Sequence, residues 1–173
     1  MPSFEEVMLP HMPNAYNLAR WLLRNEQDAE DSVQEAFLRA YKAFGQFRGG
    51  DGRAWLLTIV RNVCYSRLRK NKKVNLHDEF DESVHGMTAA EPETAGPMQG
   101  QVSPEILREA MSALPEKMSE MIVLHDLEGM PYREIAEVVG IPIGTVMSRL
   151  ARARERLHRE LLSLLEKEAS HGV

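Results

Sequence analysis

Apolar residues recur in steps of three and four along most of the chain, the spacing of one helical face. The pattern is clearest from Pro131 to Leu165. Tyr132, Ile135, Ala136 and Val139 form one apolar face, and Gly140 sits where a helix ends with positive φ. Pro142 then opens a longer helix in which Val146, Leu150, Ala153, Leu157, Leu161 and Leu164 make the packing stripe. Thr145, Ser148, Arg149, Arg152 and Arg156 share a different, polar face, free to bind. This is the helix-turn-helix pattern, whose second helix presents side chains from its first turns to the major groove. An ordinary helical hairpin with a solvated basic face has the same spacing, so the rest of the chain must decide.

Before that hairpin the same periodicity predicts further helices. Pro2, Pro10 and Pro13 keep any helix in Met1 to Pro13 short. From Asn14, the residues Ala15, Leu18, Ala19 and Leu22, widened by Trp21 and Leu23, mark a helix ending near Arg24 and Asn25. A second helix starts near Asp28, where carboxylates meet the free amides of a first turn. Its inward face is Val33, Ala36, Phe37, Ala40 and Phe44, which leaves Asp31, Gln34, Glu35, Leu38 and Lys42 on other faces. A solvated acidic helix end accounts for those residues as they stand. The glycine-rich loop Gly45 to Gly52 carries Phe47 and Arg48 but matches no phosphate-binding motif. The third helix, Arg53 to about Lys70, packs Leu56, Ile59, Val60 and Val63. Around that stripe stand Trp55, Arg61, Asn62, Tyr65, Arg67 and Arg69, followed by the Lys70 to Lys73 cluster. Aromatics among cations suit single-stranded nucleic acid, because bases stack on rings while phosphates need positive charge. Farther on, Ser103 and Pro104 make a cap and first turn, Leu107, Ala110, Met111 and Leu114 continue one face, and Pro115 breaks it. Met118, Ile122 and His125 through Leu127 form the next helix.

Charge changes this picture more than composition does. At 173 residues, with 43% hydrophobic residues, the chain has the length and apolar content for two modest cores. A net charge of −5 argues against a nucleic-acid binder until it is mapped, because the charge is segregated. Between Glu26 and Phe37 every charged residue is acidic; from Arg48 to Lys73 eight are basic and one acidic; from Val74 to Leu107 there is no Lys or Arg. Val74 to Val102, with its glycines, prolines and almost no apolar periodicity, reads as a flexible acidic linker. Fully extended it would span on the order of 90 Å, enough to hold two domains about two duplex turns apart. The lone Cys64 allows no intramolecular disulfide, so a reducing compartment is expected, and Cys64 reads as helix packing. The longest apolar runs are too short for a bilayer and the N-terminus lacks a signal pattern, so direct membrane insertion is not expected and a cytoplasmic location is.

The stretches DAEDSVQEAFLRAYKAF, FRGGDGRAWLLTIVRNVCYSRLRK and LPEKMSEMIVLHDLEGMPYREIAEVVGIPIGTVMSRLARARERL together resemble the group IV, or extracytoplasmic function, sigma factors of bacterial RNA polymerase. Two separate motif blocks occur in the family's order, covering nearly the whole chain apart from the acidic middle. The resemblance implies an all-α chain of two small helical domains: region 2 over residues 1–73, a linker over 74–102, and region 4 over 103–170. It implies that Asp28, Asp31, Gln34, Glu35 and Leu38 dock on the coiled coil of the largest polymerase subunit, turning a solvated acidic face into a partner surface. Gln46 to Arg53, with Phe47 and Arg48, match the loop that holds a base flipped from the minus-ten element. Asn62 matches a position that helps read that element, and Trp55, Arg61, Tyr65 and Arg67 belong to the same melting helix. Unstacking a base costs a few kcal/mol, which a pocket and aromatic stacking can offset. In region 4, which also touches the flap of the β subunit, Ser148, Arg149 and Arg152 match minus-thirty-five contacts, with Thr145 and Arg154 as phosphate contacts. Met147 stands where many members carry Lys or Arg, so a thioether on a thymine methyl would replace an ionic contact and shift preference. Pro131 stands where Ser or Thr usually caps the first reader helix. Melted and double-stranded promoter DNA and an anti-sigma factor are the further implied partners. For the acidic middle the resemblance implies a path near the nascent RNA, where acidic residues imitate RNA charge; a neutral spacer is the alternative.

No cofactor is implied. The histidines show no metal-ligand spacing, Cys64 has no acidic or histidine partner nearby in sequence, and no enzymatic activity is expected. Two other readings stay open. A sigma-like decoy would bind an anti-sigma factor without directing transcription, but the retained Arg61, Arg67, Arg149 and Arg152 argue against it. A stand-alone repressor would normally use a dimer of one reader, whereas this chain has two different DNA-reading blocks.

Overall fold

The first turn of each helix shows how the chain partitions itself in the computed structural model, which describes residues 1–72 and 102–171. Helix α1 (Phe4–Met8) is closed by a capping box: the Ser3 hydroxyl accepts from the Glu6 amide at 3.2 Å and the Glu6 carboxylate accepts from the Ser3 amide at 2.9 Å. A 3₁₀ turn leads into α2 (Met12–Leu23), which buries the expected Ala15, Leu18, Ala19 and Leu22. Helix α3 (Glu26–Ala43) begins before Asp28, because the Asn25 side chain supplies the cap, accepting from the Asp28 amide at 2.9 Å. The carboxylates of Glu26 and Asp28 therefore lie inside the first turn, at its positive end. Helix α4 (Gly52–Asn71) is capped by Asp51, and buries Leu56, Leu57, Val60, Val63 and Cys64. Burial pushes the Cys64 thiol up to about 12, as suits a packing residue.

The second half holds α5 (Pro104–Ser112), α6 (Glu116–Ile122), α7 (Tyr132–Val139) and α8 (Ile143–His171). Ser103 caps α5 as expected, accepting from the Ile106 amide at 3.2 Å. The helix foreseen through Leu127 departs from regular geometry: α6 passes into a π turn, Val123–Leu127, closed by a bond from the Glu128 amide to the Val123 carbonyl at 2.9 Å. Gly140 ends α7 at φ 77°, the conformation the pattern requires, and Pro131 leaves α7 without a side-chain cap. Among the described residues no strand forms, and no helix is long and apolar enough to cross a membrane.

The two helical halves form as expected, and their apolar interiors are continuous. One apolar cluster runs from Met8, Leu18 and Leu56 in the first half to Met121, Leu124 and Ile135 in the second. Helix α4 packs along α7, and α2 against α6. The physical reason is size: a helical unit of about 70 residues buries too little apolar surface alone, and docking the halves covers what remains. In this arrangement the two halves touch instead of standing two duplex turns apart; the expected acidic linker lies outside the described residues. Arg24 reinforces the contact. It ends α2 in the left-handed region (φ 57°) and donates to the carbonyls of Ser112 (2.7 Å), the last residue of α5, and Leu114 (2.9 Å) just beyond it. A cation there meets the negative end of a helix.

Gly52 is a packing glycine. A Cβ at this position would stand 2.8 Å from Val7 Cγ1 and 3.4 Å from the Val7 carbonyl oxygen. Gly52→Ala is expected to push α1 off the glycine-rich loop and to cost about 1–3 kcal/mol, read from urea unfolding followed by tryptophan fluorescence.

Candidate nucleic-acid interface

Helix α4 brings together most of the residues expected to meet a melted strand, and its register explains how. Trp55, Arg61, Tyr65 and Lys72 lie on flanks beside the buried Leu56, Val60 and Cys64 stripe. The glycine-rich loop precedes it, with Gly49 and Gly50 at φ 85° and 86°, values that suit glycine alone at low cost. Phe47 from this loop stacks on Phe44 (5.7 Å between ring centres) and tilts against Trp55 (5.3 Å). Phe44 in turn meets Phe4 of α1 edge to face at 5.5 Å. Phe47 and Trp55 are thus half-buried in an aromatic row, while Gln46, Arg48 and Asn62 face solvent.

The remaining members are engaged within the protein. Arg61 pairs with Glu120 of α6, and Tyr65 donates its hydroxyl to the same carboxylate at 2.9 Å. The Arg61 guanidinium also lies over the Tyr65 ring at 4.4 Å. Glu120 has 0% exposure. Burial raises its pKa against the pull of Arg61 and Tyr65. Burial alone would lower the Arg61 pKa, yet the neighbouring Glu120 charge carries it above its ordinary value. Arg53 donates to the Glu128 carbonyl (3.2 Å) and pairs with Glu134 of α7 (3.0 Å), and Lys72 pairs with Glu116. Arg67 instead pairs with Asp28 of its own half at 3.2 Å, joining a residue expected to touch DNA to one expected to touch polymerase.

The reader helix α8 departs from its expected free face. Arg149 is 3% exposed on an α8 that packs against α5, α6 and α7, with Arg61 and Tyr65 of α4 within electrostatic reach. Burial, with the like charges of Arg61 and Arg152, lowers the Arg149 pKa. Thr145, Met147, Ser148 and Arg152 are half-buried, with the Ser148 hydroxyl turned back to the Thr145 carbonyl at 3.2 Å. Arg154 pairs with Asp126 beside the π turn.

Helix α3 offers a separate surface. Gln34 faces solvent, Asp31 accepts from Gln27 at 3.0 Å, and Glu35 pairs with Arg39. Leu38 is 63% exposed, and Tyr41, one turn on, is 62% exposed. Tyr41 is absent from the sequence-based set, although its spacing from Leu38 and Gln34 places it on the same face. Glu120 is the more consequential omission. It stands within the run Met118 to Leu124, apolar on all sides apart from Ser119, and a carboxylate in such a run signals a buried pair.

Comparison with known proteins adds to this geometry. Residues 8–74 match the model of sigma-70 region 2 and residues 105–157 that of sigma-70 region 4. The chain is 31% identical to the ECF RNA polymerase sigma factor SigE of Mycolicibacterium smegmatis, over 100% of this chain and 66% of that protein, just under two thirds of its length. It is also 31% identical to the RNA polymerase sigma-H factor of Pseudomonas aeruginosa, over 95% of this chain and 89% of that one. Among solved structures it resembles the sigma factor RpoE of Bartonella quintana, crystallised with the anti-sigma factor NepR (TM-score 0.71, 31% identity, 92% of this chain and 96% of that one). It also resembles CnrH in complex with the cytosolic domain of CnrY (TM-score 0.63, 25% identity, 95% and 88%).

Tyr65→Phe tests the central cluster. It removes one donor from a fully buried carboxylate, and is expected to lower stability by about 1–3 kcal/mol in a denaturant melt.

Proposed function

The chain belongs to the extracytoplasmic function sigma factors of RNA polymerase, and from that membership we propose that it binds core polymerase and directs promoter-specific transcription initiation. The observation that carries this reading is the pairing, in one chain, of a cation-and-aromatic helix (α4) with a helix-turn-helix (α7 and α8). Each suits a different form of DNA. In this proposal residues 1–73 dock on the polymerase and open the minus-ten element, and residues 103–170 read the minus-thirty-five element. The row Asp31, Gln34, Glu35 and Leu38, extended by Tyr41, meets the largest subunit. Gln46, Arg48 and Asn62 are ready for the melted strand, while Arg53, Arg61 and Tyr65 reach it after leaving their present partners. Thr145, Met147, Ser148, Arg149, Arg152 and Arg154 face the upstream element. Catalysis stays with the polymerase. The solved complex of the sigma factor RpoE with the anti-sigma factor NepR supports an anti-sigma partner here too, acting on a cytoplasmic protein.

Run-off transcription with purified core enzyme on genomic promoter fragments tests the reading; a specific start site is expected. No transcript, together with tight binding to an anti-sigma protein, points to a decoy, and footprinting without core enzyme points to a repressor. Within the holoenzyme, Arg152→Ala should weaken binding at one promoter position by about 1–3 kcal/mol. Asp31→Ala should lower core affinity roughly tenfold with folding intact, and unchanged affinity would remove α3 as the docking surface.

A further inference from the structure

Helix α2 packs on α6 and reaches α5 through the Arg24 guanidinium, which is bonded to the carbonyls of Met111 (3.3 Å), Ser112 and Leu114. Behind that clasp lies a cleft of about 550 Å³, the size of a small-molecule site. Asn17, Arg20, Trp21 and Arg24 line it from α2; Glu105, Arg108, Glu109 and Ser112 line it from α5. Each set falls at i, i+3, i+4 and i+7, so the lining is one face of each helix.

Counting back from the clasp gives the cleft a polarity. Arg20 and Arg108 stand one turn behind Arg24 and Ser112, while Asn17 and Glu105 stand two turns behind. Of the charged groups lining the clasped end, three are guanidiniums and one, Glu109, is a carboxylate, which leaves two positive charges. Among the described residues neither Arg20 nor Arg108 has an ion pair or a side-chain hydrogen bond. We propose that this cleft is a nucleotide site, taking a guanosine monophosphate with its phosphate on Arg20, Arg24 and Arg108. A phosphomonoester carries close to two negative charges at neutral pH, and guanidinium forks match its oxygens in pairs. Arg24 has donors to spare, since its three carbonyl bonds use three of five N–H groups. Trp21 has one side packed on the apolar cluster and borders the cleft with the rest, a platform for a base. The far end offers acceptors: Asn17 commits its amide N–H to Glu128 and keeps its side-chain carbonyl, and Glu105 brings a carboxylate. Guanine presents adjacent N1 and N2 donors to such groups, whereas adenine has no donor at N1. Glu105 also repels a phosphate, so a single orientation satisfies both ends. The site shares no residue with the α4 and α8 positions assigned to DNA or the α3 row assigned to polymerase, so its failure leaves the proposed function standing.

The test is isothermal titration of the full chain without polymerase, with guanosine monophosphate as the probe and adenosine monophosphate and inorganic phosphate as controls. Saturable binding is expected, roughly tenfold tighter than for either control, with a change in tryptophan fluorescence. Because the nucleotide joins a helix of each half, it should also raise the thermal midpoint. Arg20→Gln and Arg108→Gln, each alone, should weaken binding roughly tenfold and leave the midpoint of the unliganded chain unchanged, since neither side chain holds another. Should Arg20→Gln fail to fold, charge reversal at the exposed Arg108, Arg108→Glu, carries the test and should abolish binding. No saturation by about 1 mM nucleotide overturns the proposal. So does equal affinity for inorganic phosphate, the mark of an adventitious ion only, equal affinity for adenosine monophosphate, or undiminished binding in the Arg108 variants.

Discussion

A carboxylate with no exposed surface needs compensation for lost hydration, and in this fold the Glu120 carboxylate obtains it from another part of the chain. Removing an ion from water costs several kcal/mol, and Arg61 and Tyr65 offset that cost only while α4 and α6 stay in register. The pair therefore dictates where the second half sits on the first. Arg53 with Glu134 and Lys72 with Glu116 flank it, and Arg24 clasps the end of α5. The shared apolar cluster supplies affinity between the halves, but apolar contact is non-directional. It is the buried charge that selects one orientation among many.

That division of labour explains why the surfaces differ in character. The α3 face bearing Leu38 and Tyr41 takes no part in the pairing and remains open, with large apolar groups in solvent. The α4 and α8 faces, rich in cations, are the ones that turn inward. A chain with net charge −5 that must also hold concentrated positive charge can reduce nonspecific attraction to nucleic acid by setting its own carboxylates against those cations.

Much of this was legible in the residues themselves. The helices followed from apolar spacing, because each buries one stripe; Gly140 and Ser103 marked ends that the backbone adopts as expected. The candidate residues of α4 and α8 were visible as cations and aromatics off the packing stripes. What periodicity does not encode is which stripe meets which. It assigns a face to each helix without giving the distance between faces, so the contact between the two halves is not encoded in it. The start of α3 was misplaced for a local reason: Asn25 outcompetes the acidic run as a cap. Arg149 was expected in solvent because its position on α8 is polar, yet the packing around α8 buries it. The partner choice of Arg67, which takes Asp28 of its own half instead of a carboxylate across the interface, is likewise a matter of three-dimensional reach.

Gly52 gives the glycine-rich loop an asymmetry with a mechanical meaning. One end is clamped: Asp51 caps α4, and Gly52 lies directly under Val7 of α1. The other stretch, Gly49 and Gly50, has open space where side chains would be. The loop behaves as a cantilever, bending from a fixed root. A load on the loop would be taken up by the free arm, and its reaction would pass through the root into α1. Helix α1 is thereby the ballast of the loop.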